Sequence, residues 1–106
     1  LSNNIQSIGG TQQDYIQIDL SGRKVLFNGD PLPDETLPDI LLKARDFAVG
    51  LTNENFKLGL SDLGEAKDLH EINHSEVRDL IEKNTGKLPE ELSPENDIKQ
   101  LGEDEK

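Results

Sequence analysis

Apolar and polar residues alternate over residues 15–20, with Ile16, Ile18 and Leu20 set against Tyr15, Gln17 and Asp19. That is the period of a half-buried strand. Ser21-Gly22 has turn composition, and residues 23–27 can return as a second strand, so the pattern predicts a β-hairpin over 15–27 that Asn28-Gly29-Asp30-Pro31 ends. A lone hairpin is marginal in water and must pack on a helix or pair with another chain. Residues 1–13 are polar, carry Gly9-Gly10, and read as a flexible lead-in.

The period then changes. Leu37, Ile40, Leu41, Ala44, Phe47, Ala48 and Leu51 share one helical face, which predicts a helix over 37–51. Thr36 is placed to cap it, Pro38 is tolerated in its first turn, and Asp39 suits the positive end of the helix dipole. Gly50 and the polar stretch 53–55 weaken its end, and 56–69, with Gly59 and Gly64, reads as a linker. A second helix is predicted over 74–84, with Val77, Leu80 and Ile81 as its apolar stripe and Gly86 as its stop. Residues 87–92 read as extended and then turning. Ser93-Pro94-Glu95 has the composition of a helix start, giving a last helix over 94–101 with Ile98 and Leu101 on its edge. Residues 102–106 form an acidic tail. The expected fold is α+β, mostly α: a hairpin packed on two or three short helices in one small domain over 14–101.

Composition restricts function. Apolar residues make up 32% of 106 residues and aromatics 4%, with no Trp. This is a thin core supply, which implies modest stability or reliance on a partner. Eleven basic against twenty-two acidic residues give a net charge of −11. That charge is unsuited to holding nucleic acid unaided and suits a basic protein surface or imitation of DNA. There is no cysteine, which fits a cytoplasmic location, and no apolar run of membrane-spanning length. The absence of Met and the start at Leu1 suggest a piece of a longer protein.

One run invites two incompatible readings. His70-Glu71-Ile72-Asn73-His74 is a His-Glu-x-x-His string. On a helix His70 and His74 share a face and can offer two imidazoles to zinc, with Glu71 as general base. A catalytic zinc needs a third protein ligand. The metzincin continuation fails at Val77 and Leu80, and the downstream acids Glu90, Glu91 and Glu95 are three among many. The alternative is a helix entry: Asn73-x-x-Glu76 has capping-box spacing, and Ile72 with Val77 has that of a hydrophobic staple. That entry would leave His70 outside the helix, whereas a longer helix starting near Ala66 would keep Leu69 and Ile72 on roughly the same face. No Gly-x-Ser-x-Gly, phosphate loop or calcium loop occurs, and no cofactor is implied.

The order of several short motifs suggests a family. His70…Asn73…Glu76-Val77-Arg78-Asp79-Leu80-Ile81, then Pro89-Glu90-Glu91-Leu92, then Glu95…Asp97-Ile98-Lys99…Leu101 resembles the C-terminal region of the DNA damage-inducible protein D family. Upstream, Leu37-Pro38-Asp39…Lys43-Ala44-Arg45-Asp46-Phe47-Ala48…Thr52-Asn53…Asn55 is similar to the preceding helix there, so the resemblance spans 35–101. It implies a non-catalytic regulatory domain of the SOS response, with a protein partner such as the recombinase filament or the switch of a phage or mobile element. In that family the segment follows a BRO-type domain, which this chain lacks, and ends in basic residues where this chain has Gly102-Glu103-Asp104-Glu105. Direct DNA binding is therefore not expected, although Arg78, Lys83, Lys87 and Lys99 are the bases able to reach a phosphate. Ile40, Leu41, Phe47 and Arg78 are the candidate partner-binding residues. The alternatives are a small zinc peptidase built on His70, Glu71 and His74, and an acidic DNA mimic.

Overall fold

The computed structural model describes residues 1–29 and 37–92, and every regular element among them is helical. Helix α1 spans Ser2–Ser7, α2 Gln12–Phe27, α3 Asp39–Lys57 and α4 Leu63–Thr85, and a single 3₁₀ turn follows at Pro89–Glu91. The expected hairpin over 15–27, and the α+β class with it, is thereby overturned.

Two local signals outweigh the strand-like alternation. Thr11 accepts from the Asp14 amide at 3.1 Å while the Asp14 carboxylate accepts from the Thr11 amide at 2.8 Å, a reciprocal cap that starts α2. Ile18, Gly22 and Leu26 then follow at four-residue spacing and are all buried, whereas Ile16 and Leu20 of the supposed strand face stay largely exposed. Asn28, in the left-handed conformation, closes the helix through its amide to Val25.

The remaining boundaries move for similar reasons. Residues 1–13 are not a loose lead-in: Ile5 is fully buried, and Asn4 donates to Asn53 of α3 at 2.9 Å. Helix α3 starts at Asp39, behind the buried Leu37, and continues through Gly50 and the asparagines to Lys57. Thr36 lies outside the described residues, as do the helix expected over 94–101 and the acidic tail. The helix expected over 74–84 is the second half of α4, and the expected linker over 56–69 shrinks to residues 58–62. Asp62 caps α4 by accepting from the Glu65 amide at 2.9 Å, and Gly86 ends it at φ 76°, in the left-handed region that favours glycine. Asn73 therefore lies inside a helix and caps nothing.

Two apolar clusters hold the helices. One gathers Leu26, Phe27, Leu37, Leu41, Ala44, Ala48, Val77 and Ile81. The other gathers Ile5, Ile18, Leu60 and Ala66, with Tyr15, Phe56, Leu63 and Leu69 against them. The order in which each helix visits the clusters shows that α2 and α4 run parallel and α3 runs antiparallel to both. Between the clusters each long helix contributes polar residues instead: Asp19, Gly22 and Arg23 from α2, Thr52 from α3, and His70, Asn73 and His74 from α4. Among the described residues no helix is long and apolar enough to cross a membrane.

Candidate functional site

The continuous α4 keeps the i,i+4 relation of His70 and His74, and both side chains are fully buried. They meet edge to face with ring centroids 4.3 Å apart. Helix α2 passes directly over them at Gly22, where a Cβ would fall 2.6 Å from His70 Cδ2 and from His74 Cε1 and Nδ1. Only glycine permits this approach.

Hydrogen bonding sets the state of the pair. His74 Nδ1 lies 2.8 Å from the His70 carbonyl, an acceptor, so Nδ1 carries the proton. His70 Nδ1 lies 2.7 Å from the Thr52 hydroxyl, which also receives Asn73 Nδ2 at 2.9 Å and lies 3.3 Å from the Ala48 carbonyl. Asn73 additionally donates to Asn55 at 3.1 Å. Nε2 of both rings is buried with no hydrogen-bond partner among the described residues. Burial pushes the His70 imidazole down to about 3, helped by His74 wherever that ring is protonated and by the Arg45 charge. His74 is also lowered, first by burial, although its bond to the His70 carbonyl and the Asp19 charge oppose this. Both rings are therefore neutral at physiological pH.

This arrangement fits a metal poorly. Arg23 and Arg45 lie close enough to disfavour positive charge at His74. Asp19, the acid nearest in the same layer, bridges both guanidiniums at 3.2 Å each. Glu71 lines a different feature, an open cleft between α2 and α4 shared with Lys24, Lys67 and Arg78. Among the described residues no three His, Cys, Asp or Glu side chains are placed to hold a metal ion. Glu90 and Glu91, considered above as third ligands, serve Arg78 and the Leu88 amide instead, and Glu95 lies outside the described residues.

A second open feature is a groove between α3 and α4, of about 340 Å³, lined by Ile40, Lys43, Ala44, Phe47, Val77 and Leu80 with the C-terminal turn of α4. Three of its apolar side chains are left in solvent: Ile40 at 44%, Phe47 at 56% and Leu80 at 57% exposure. The apolar stripe of α3 is too wide for a single contact. Leu41, Ala44, Ala48 and Thr52 turn inward, and Ile40 and Phe47 are carried to the rim.

The four candidate partner-binding residues thus separate. Ile40 and Phe47 line the groove, and Leu41 is core at 1% exposure. Arg78 is a clamp elsewhere: it donates to the Leu26 carbonyl at 2.8 Å and grips Glu90 through two bonds of 2.6 and 2.9 Å. That grip holds the Glu90 carboxyl below the usual carboxylate range. Lys83 is exposed on α4 and Lys87 follows it, while Lys99 lies outside the described residues. Leu80 is the groove residue that the pattern did not single out, because Val77, Leu80 and Ile81 read as one core stripe. Comparison of the chain with family models, with curated proteins and with solved structures finds no match among any of them.

Proposed function

We propose that this chain is a non-catalytic interaction domain that works through the α3/α4 groove. One observation carries the reading: Ile40, Phe47 and Leu80 are left exposed together beside an open apolar groove. Leaving such surface in water is unfavourable, and a contiguous patch of this kind marks a binding surface where scattered apolar residues do not. The groove lies between two antiparallel helices, the geometry that receives another apolar helix face. A regulatory role in the DNA-damage response is what the resemblance to the DNA damage-inducible protein D family adds, and it rests on that resemblance alone; a cytoplasmic location rests on the absence of cysteine.

A photo-crosslinking side chain placed at Leu80, and separately at Asp68 on the same helix, tests the reading in cells making the full chain. Adducts with a polypeptide are expected at position 80 and not at position 68. Equal labelling, or none at position 80, would overturn the groove as the working surface.

A further inference from the structure

The occupant of the groove can be named more closely, on the reading that the groove is an interaction surface. Half-exposed Leu80 and Phe47 stand at the edges of the depression they line, so one face offers both protruding side chains and a place to receive them. A self-complementary patch is what a two-fold interface requires. The charges carry the argument further. Glu76 precedes Leu80 by four residues and Lys83 follows it by three, so both adjoin it on the surface of α4. If α4 lies antiparallel to α4 of a second copy, with a two-fold axis beside Leu80, Glu76 of each copy meets Lys83 of the other.

The rim of α3 adds little net charge. Asp39 and Lys43 are paired at 2.8 Å, and Asp46 adjoins Lys43 one turn on. With Asp79, which adjoins Leu80, the charges flanking the groove leave a small negative excess, against −11 for the whole chain. Two copies of so acidic a chain repel one another, and a face whose charges are largely balanced avoids much of that repulsion. A basic foreign partner would instead be drawn to the acidic remainder. We infer that the α3/α4 face is the interface of a symmetric homodimer, with the Leu80 side chains meeting near the axis and Ile40 and Phe47 covered.

Charge reversal of the full chain tests this, read by sedimentation equilibrium from micromolar to millimolar concentration. The unaltered chain is expected to dimerise. Glu76→Lys alone or Lys83→Glu alone each converts two facing pairs from attraction to repulsion and should weaken the dimer about tenfold. The double variant restores opposite charges across the axis and should return the affinity close to that of the unaltered chain. Asp68→Lys, an equal change of charge elsewhere on α4, should not weaken it. A chain monomeric throughout, a single reversal without effect, or a double variant no better than the singles would each overturn the homodimer. A monomeric chain that still forms polypeptide adducts at position 80 loses the homodimer alone, and one without adducts loses the groove as well.

Discussion

At the scale of single residues the tightest constraint is Gly22. A methyl group there meets both imidazoles at 2.6 Å. The contacts are with ring atoms of fully buried side chains and not with a flexible tip. Alanine favours a helix over glycine by about 1 kcal/mol, but overpacking a core costs about 1–3 kcal/mol and occasionally more. Gly22→Ala is therefore expected to destabilise the fold by about 1–2 kcal/mol net, read as a lower urea midpoint. A raised midpoint would mean that α2 and α4 do not approach this closely. The histidines beneath make a second expectation. With no third ligand placed beside the pair among the described residues and two guanidiniums nearby, the purified chain should carry no stoichiometric zinc, and His74→Ala should leave its metal content unchanged; stoichiometric zinc that disappears in the variant would sink that assignment. Neither relation was legible beforehand. Glycine beside serine has the composition of a turn, and its use as a gap between helices depends on what lies opposite. The His-Glu-x-x-His string was legible as a pair on one helical face, but its direction, inward against Gly22, was not.

At the scale of elements the sequence erred most on α2 and was most informative on α3. Ile16, Ile18 and Leu20 alternate as a strand would, and β-branched residues favour that reading. The helical stripe was concealed because one of its members, Gly22, has no side chain to register as apolar. The decisive signal was the start, Thr11-x-x-Asp14, whose two side chains and amides bond reciprocally. Thr11→Ala should cost about 1 kcal/mol, with hydrogen exchange quickening at the first turn of α2; unchanged stability would show that packing alone holds this end. In α4 the capping spacing of Asn73 and Glu76 was present but unused, because Asp62 starts the helix earlier and Asn73 finds Thr52 and Asn55 instead. Helix α3 was legible as an element, and its apolar face is wider than the core contact, which leaves Ile40 and Phe47 exposed. Which of its residues stay outside was set by where α4 packs, a long-range fact.

At the scale of the whole molecule the chain places a buried polar layer between two apolar clusters, and this ties stability to pH. The groups facing the imidazoles are Asp19 and Arg23 from α2 and Arg45 and Thr52 from α3. Arg45 and burial both oppose protonation of His70, whose folded value of about 3 lies below its ordinary 6.5. A folded value below the unfolded one means that the unfolded chain binds protons first, so stability is fully present above about pH 6.5 and falls as pH drops toward 3. His74 is shifted the same way and adds to the slope. Within that window His70, neutral in the fold, contributes about 1.4 kcal/mol per pH unit. The net charge of −11 acts in the opposite direction, since protonating carboxylates relieves self-repulsion, but that relief begins only near the ordinary carboxylate range of about pH 4. From about pH 7.5 to about pH 5 the histidines therefore dominate. The urea midpoint should stay level down to about pH 6.5 and fall from there toward about pH 5, and a His70→Gln/His74→Gln variant, less stable at neutral pH, should show a nearly flat profile. A midpoint that rises on mild acidification would mean that charge repulsion, and not the buried pair, governs the stability of this fold.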